Sequence, residues 1–233
     1  MLITPDLREG AIALARDAAA AILGIYDSAF AVEHKADASP LTAADLAAHR
    51  ILVDGLERLT PDIPVLSEEA AEDATWNVRR GWNRLWLVDP LDGTREFVKR
   101  NGEFSVNLAL IDDGVPVFGV VQAPVTGALW HATRGVGAFR RDGDAEVPMR
   151  VRRPALAPLR VAASRSHRDA RTEAFIAKMG EVEPIGLGSS PFASSAAQYR
   201  PSFRPVELAS RCANARTLLP SRGFDAYWSW AAL

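Results

Sequence analysis

A layered α+β (α/β) fold is predicted for this chain, on three observations. An apolar stripe at helical spacing runs from Leu7 to Ile25, the pattern changes to strand-like runs between Ser105 and Arg140, and strand and helix patterns alternate again after Leu159. With 233 residues, 48% of them hydrophobic and 24% charged, the chain has the apolar material to bury a core as one or two domains.

The first helix is carried by Leu7, Ala11, Leu14, Ala18, Ile22 and Ile25, which recur at intervals of three and four, and Pro5 suits its first turn. A second helix is expected from about Thr42 to Leu59, with Pro61 beyond its end. Pro64 to Ser67 reads as a short extended run, and Leu85 to Val88 as a buried strand. Strands follow at Val106 to Leu110, Val117 to Val121 and Ala128 to His131, separated by turns at Asp112-Asp113-Gly114 and Pro124 to Gly127. Two helices ahead of antiparallel strands imply helices layered on the sheet. Gly135-Val136-Gly137-Ala138 lacks the strand-loop-helix context of a nucleotide loop and is expected to be a hairpin turn; His131 is expected to be structural. The Arg- and Pro-rich stretch from Val151 to Pro158 reads as a linker, followed by a strand at Leu159 to Ala163, a helix at Ala170 to Met179 and a strand at Pro184 to Leu187.

The chemistry concentrates where the strand at Leu85 runs into Asp89-Pro90-Leu91-Asp92-Gly93-Thr94. Pro and Gly at a strand end leave backbone carbonyls unpaired, so Asp89, Asp92 and the Leu91 carbonyl can converge as the hard oxygen ligands that Mg²⁺ requires, with the Thr94 hydroxyl beside them. An Asp-rich turn with Asx capping is the plainer reading. Against it stands Glu68-Glu69, at a second strand end after Ser67, because packing Glu68 with Asp89 and Asp92 is costly unless a divalent ion removes the repulsion. Thr42 and Asp45 have capping-box spacing, and an Asp in the first helical turn can also reach the Thr94 hydroxyl and orient it as a proton acceptor.

Together with Glu96-Phe97-Val98-Lys99-Arg100-Asn101-Gly102-Glu103-Phe104-Ser105-Val106-Asn107, these segments resemble the inositol monophosphatase superfamily, and Lys99 to Phe104 selects its 3'(2'),5'-bisphosphate nucleotidase branch. His34 to Thr42 and Ala163 to His167 support it, and the resemblance runs from near the N-terminus to about Ser190. It implies a sugar-phosphatase-like fold of αβαβα layers and a Mg²⁺ shell of Glu68, Asp89, Asp92 and the Leu91 carbonyl. It further implies that Thr94 with Asp45, and Glu68, serve catalysis by activating the attacking water. Glu68, Leu91, Asp92 and the amides of Gly93 and Thr94 would meet the phosphate, with Ser164, Ser166 and Ser189 on the nucleotide side. The reaction implied is hydrolysis of the 3'-phosphate of adenosine 3',5'-bisphosphate to AMP without a phosphoenzyme, with inositol 1-phosphate as the alternative substrate. Haloacid-dehalogenase-type phosphatases also end a strand in acids before Gly-Thr, but their two acids are separated by one residue, whereas Pro90 and Leu91 separate these.

After Ser190 the resemblance stops: the chain continues Pro191-Phe192-Ala193-Ser194-Ser195, without the family's Trp-Asp motif, and the rest is rich in Ser, Arg, Pro and Ala, with Cys212 and Asp225 poor candidates for any role. A changed reading frame, divergence or disorder would each produce such a tail, and the first makes a catalytically impaired remnant the second functional reading. The expected organisation is residues 1–150 as an N-terminal α+β metal-binding half, 159–190 as a partial C-terminal α/β half, and 191–233 as an atypical tail. A phosphate-binding protein without turnover is a third reading, disfavoured by so full a set of metal ligands.

A net charge of -2 argues against a nucleic-acid polymer as partner and leaves a small nucleotide or sugar phosphate. A single cysteine excludes an intramolecular disulfide. Arg16-Asp17 interrupts the longest apolar candidate near the N-terminus, so neither a signal peptide nor a transmembrane segment is expected, and a cytoplasmic site follows; peripheral membrane association and a homodimer are left open.

Overall fold

The structure, a computed structural model, describes residues 3–27, 32–34, 40–71, 74–150, 158–164 and 170–187. Helix α1 (Pro5–Tyr26) starts where expected: Pro5 fills its first position, and the Thr4 hydroxyl accepts from the Leu7 amide at 3.2 Å as its N-cap. It buries Leu7, Ala11, Ile12, Ala15, Ala18, Ala19, Ile22 and Tyr26. Leu14 and Ile25 are only half-buried, because the helix turns its alanines to the core and Leu14 toward the next helix.

Strands β1 (Val32–His34) and β2 (Pro40–Thr42) pair antiparallel ahead of helix α2 (Ala43–Leu59). Both are too short to show a period, and sequence patterning did not reveal them. The two helices cross at glycine: a Cβ on Gly55 would lie 2.1 Å from Leu14 Cδ2, and one on Gly10 would lie 2.8 Å from Leu59 Cδ1.

The chain then runs through β3 (Val65–Ser67), a 3-10 turn (Glu68–Ala70), α3 (Trp76–Arg79), β4 (Arg84–Asp92), α4 (Thr94–Val98), β5 (Ser105–Asp112), β6 (Val115–Gln122), β7 (Leu129–Thr133), β8 (Gly137–Asp142) and β9 (Ala145–Met149). Strands β3 to β9 form one sheet in sequence order, with β3 parallel to β4 and every later pair antiparallel. Both expected turns are present, with Asp113 and Gly114 at φ 49° and 75° in one and Gly127 at φ 71° in the other; Gly135 at φ 80° turns the hairpin into β8. Alternation divides β4 between the two faces of the sheet. Trp86 and Val88 join the α1 and α2 core, while Leu87 joins Leu66, Ala109 and Ile111 opposite.

The Trp86 indole sits in that core and donates to Thr60 Oγ1 at 2.9 Å, while Thr60 donates to the Leu56 carbonyl at 3.0 Å. Thr60→Val keeps the shape and strands the indole N–H, so a loss of about 1–3 kcal/mol is expected in urea unfolding. An unchanged midpoint would show that the indole finds another acceptor.

His131 is structural, as expected. Its Nε2 meets Glu146 Oε2 at 2.9 Å, its ring stacks on Phe139, and Arg141 binds both Glu146 at 2.6 Å and Glu9 of α1 at 2.6 and 2.8 Å. Burial is the main cause holding the His131 pKa below its usual value, while Arg141, first, and His131 hold Glu146 charged.

Strands β10 (Leu159–Ser164) and β11 (Val182–Leu187) pair in parallel, with helix α5 (Ala170–Ala177) between them in sequence, which bears out the three elements expected after Leu159. The layered α/β fold class is as expected. The expected linker falls almost wholly outside the described residues, as does all of the 191–233 tail with Cys212 and Asp225. Among the described residues no helix is long and apolar enough to cross a membrane.

Candidate active site

The β4–β5 ladder pairs residues one to one from Arg84↔Asp112 to Asp89↔Asn107 and resumes at Asp92↔Ser105. Pro90, which has no N–H to give, and Leu91 leave the ladder between them, so the strand carries both acids past the point where regular pairing stops. Asp89 is buried, and its Oδ1 accepts from the Leu91 amide at 3.2 Å; the Leu91 carbonyl accepts from Thr94 Oγ1 at 3.3 Å. Gly93 then turns the chain into α4 at φ 92°, where a Cβ would lie 3.0 Å from the Glu103 carbonyl oxygen and 3.3 Å from Phe104 Cα. Both the backbone angle and the space demand glycine.

Two other elements bring acids to this strand end. Strand β3 lies alongside β4 with Ser67 opposite Val88, so Glu68 follows at the level of Asp89. Asp45, at the third position of α2, is 1% exposed. Burial, first, and then the charges of Asp92, Glu68 and Asp45 raise the Asp89 pKa well above the usual carboxylate value, with the Leu91 amide opposing them. Three segments far apart in sequence thus share one electrostatic neighbourhood.

The acids share a field rather than a point. Among the described residues, no three acid, imidazole or thiol side chains converge as a ready-made metal cage. The repulsion on buried Asp89 needs no ligating geometry, because Coulomb coupling extends well beyond ligating distance. The donor chemistry itself suits Mg²⁺: carboxylates and a carbonyl, with no sulfur or imidazole among them.

Ser164 is the last residue of β10, and Ser166 and Ser189 lie outside the described residues. The Thr94 hydroxyl is bonded to the Leu91 carbonyl. Thr42 ends β2 immediately before α2, which leaves Asp45 at capping-box spacing. A cleft lined by Ile3, Leu7, Arg84 and Asp112 sits at the opposite end of β4 and takes no part.

Residues without an expected role also frame the site. Ser105 and Asn107, both buried, stand opposite Asp92 and Asp89, and Ser105 Oγ donates to Asn107 Oδ1 at 3.1 Å. His49 Nδ1 lies 2.8 Å from the hydroxyl of buried Ser67, next to Glu68. The polar positions alternating with Val106 in a strand otherwise apolar were the available signal.

A raised carboxylate pKa has a definite sign in stability. The folded state holds the proton that the unfolded state releases, so without divalent ions stability should fall as pH rises from the ordinary value of 3.8 through the raised one. The rise in Tm on adding Mg²⁺ should accordingly be larger at pH 8 than at pH 5, as scanning calorimetry with and without chelator would show. An equal rise at both would separate Asp89 from the ion.

Helices over one face of a mixed sheet, with a carboxylate cluster at the end of its second strand, define a layered α/β scaffold built to gather negative charge at one sheet end. The inositol monophosphatase family model matches residues 5–199. This chain belongs to the inositol monophosphatase family. It is 49% identical over 201 residues to the 3'(2'),5'-bisphosphate nucleotidase CysQ of Escherichia coli O157:H7, covering 84% of this chain and 80% of that protein. It is 36% identical over 222 residues to the Buchnera aphidicola protein of the same name, covering 93% and 82%, so that alignment runs past Ser190. Among solved structures, CysQ from Bacteroides thetaiotaomicron matches with a TM-score of 0.70 at 39% identity, covering 83% of this chain and 77% of that one.

Proposed function

We propose that this chain is a Mg²⁺-dependent 3'(2'),5'-bisphosphate nucleotidase that hydrolyses the 3'-phosphate of adenosine 3',5'-bisphosphate to leave AMP. The observation that carries the reading is buried Asp89 at the bulged end of β4, within the field of Asp92, Glu68 and Asp45. The likeness to CysQ proteins supports the substrate class.

Glu68, Asp89, Asp92 and the Leu91 carbonyl would hold Mg²⁺. When bound, the ion stabilises charge on the phosphoryl oxygens and acidifies a water. The Thr94 hydroxyl donates to the Leu91 carbonyl at 3.3 Å; to take a proton from the attacking water it would turn and pass its own to the Asp45 carboxylate, so that the hydroxyl stays neutral. Asp45, buried in the same field, orients that hydroxyl, and Glu68 serves the same proton transfer. The Gly93 and Thr94 amides meet the phosphate, and Ser164, Ser166 and Ser189 are assigned to the nucleotide on the family resemblance. Water oxygen bonds to phosphorus as the bond to the 3'-oxygen breaks; the proton the water loses passes through Thr94 to Asp45, and the 3'-oxygen takes its proton from solvent. The protein acts in the cytoplasm, with residues 1–150 as the metal-binding half and 159–190 as a partial second half; a homodimer is left open.

The test is incubation of the full chain with adenosine 3',5'-bisphosphate and Mg²⁺, following AMP and phosphate. Release of both is expected, with inositol 1-phosphate hydrolysed more slowly. No release at saturating Mg²⁺ would overturn the reading, and preference for inositol 1-phosphate would overturn the substrate. One observation favours impaired turnover as a second reading: no Trp-Asp dipeptide occurs anywhere in the chain.

A further inference from the structure

The segment Lys99 to Phe104, which singles out the nucleotidase branch in the sequence, touches no substrate in the reading above, yet it is tightly organised around one buried carboxylate. Glu96, two residues after Thr94, is 2% exposed. Its Oε2 accepts a short hydrogen bond from the Asn101 side-chain amide, its backbone carbonyl accepts from the Asn101 amide at 3.3 Å, and Lys99 Nζ lies 3.9 Å from its Oε1. The other end of Asn101 is also engaged, since its Oδ1 accepts from the Glu103 amide at 2.9 Å. Between these bonds the chain doubles back through Arg100 at φ 56° and Gly102 at φ 77°. A left-handed arginine costs about 1–3 kcal/mol, so the surrounding bonds must hold it there. Stacking of the Arg100 guanidinium on Tyr26, 4.6 Å from the ring centre, helps to do so.

That return places Glu103 and Phe104 against the bare face of Gly93, at the 3.0 and 3.3 Å approaches that exclude a side chain there. Phe104 is itself fixed by ring contacts to Tyr26 and Phe97, with centroids 5.0 and 5.1 Å away. The floor beneath Gly93 is therefore set on one side by aromatic packing and on the other by the Glu96 and Asn101 bonds.

We propose that Glu96 and Asn101 are positioning residues for the phosphate: they press the 101–104 return against Gly93 and so set the direction in which the Gly93 and Thr94 amides point. This rests on the reading that those amides meet the phosphate. Neither residue touches the reacting atoms. A clamp that merely stabilised the fold would change Tm and leave kinetics alone; a positioning clamp changes phosphate affinity and kcat at temperatures where the protein is fully folded.

The test uses the full chain with Mg²⁺, well below Tm, and two readouts: hydrolysis of adenosine 3',5'-bisphosphate, and protection of Tm by inorganic phosphate. In Asn101→Ala, kcat should fall about 10- to 100-fold, in the range of a displaced oxyanion donor, and phosphate protection should be lost. The Mg²⁺ concentration giving half-maximal protection should stay unchanged. Glu96→Gln, which keeps an oxygen for the Asn101 amide, should recover most of what Glu96→Ala loses. A lowered Tm with kcat and phosphate protection intact in Asn101→Ala would overturn the proposal, as would Glu96→Gln behaving like Glu96→Ala. Absent hydrolysis by the wild type would instead overturn the proposed function, while phosphate protection still reports on the clamp. If inorganic phosphate does not protect the wild type although hydrolysis proceeds, the positioning proposal falls and the proposed function stands.

Discussion

Asp89→Asn is expected to remove the Mg²⁺ dependence of both stability and hydrolysis. Binding to the folded state alone raises stability by about 2.7 kcal/mol at a hundredfold excess over Kd, which is about 5–10 °C of Tm for a chain of this size. Asparagine keeps the side-chain oxygen that accepts from the Leu91 amide, so local geometry survives, but it removes one of the charges on which Mg²⁺ depends. Loss of a residue that only orients a ligand costs about 10- to 100-fold in metal affinity, so loss of a ligand's own charge should exceed 100-fold. A second consequence separates this from general damage. Asp89 is buried among Asp92, Glu68 and Asp45, so in chelator at neutral pH the variant should be at least as stable as the wild type, because the cost of a buried acid there, whether met by charge or by proton uptake, is gone. Calorimetric titration with Mg²⁺, paired with Tm in chelator, reads both effects. Equal Mg²⁺ affinity in the two proteins would take Asp89 out of the site, and a lower Tm in chelator would show that its charge is structural.

Long elements were legible because their periods are long. The stripe of α1 and the apolar runs of β4 to β7 announce themselves over four or more positions, and their turns carry Asp113, Gly114 and Gly127 where positive φ is needed. Strands β1 and β2, three residues each, and the exposed edge strand β9 carry no such period. The candidate site was legible for a different reason: Asp-Pro-Leu-Asp-Gly-Thr combines a strand breaker, a left-handed glycine and two acids, each with its own physical demand. Its surroundings were not. Asn107 and Ser105 acquire meaning only from the register that sets them opposite Asp89 and Asp92, and His49 only from the packing of α2 beside β3. The αL glycine at position 93 could be read from one residue. The reason its neighbour Asn101 holds two ends of a loop could not, since it depends on a buried carboxylate five residues earlier.

Thr94→Val should lower hydrolysis by about 10²- to 10⁴-fold, the range of a positioned acid-base group, with little change in substrate affinity. Valine fills the same volume, and the hydroxyl it removes makes one long hydrogen bond, at 3.3 Å, to the Leu91 carbonyl, so the fold should lose little. Asp45→Asn is the companion change. It takes an acid from the first turn of α2, worth about 0.3–1 kcal/mol, but it also relieves repulsion on Asp89. Stability should therefore hardly move in either variant. Rate decides between the two roles open to Asp45. If it acts through the Thr94 hydroxyl, that hydroxyl is its only route to the reaction, and the double variant should be no slower than the worse single one. If Asp45 serves only the helix start and the local field, the two losses should multiply. Single-turnover rates for the four proteins at saturating Mg²⁺ would close the cycle; multiplication would return Asp45 to the helix start and leave the Thr94 hydroxyl to act without it, with Glu68 as the remaining carboxylate for the proton.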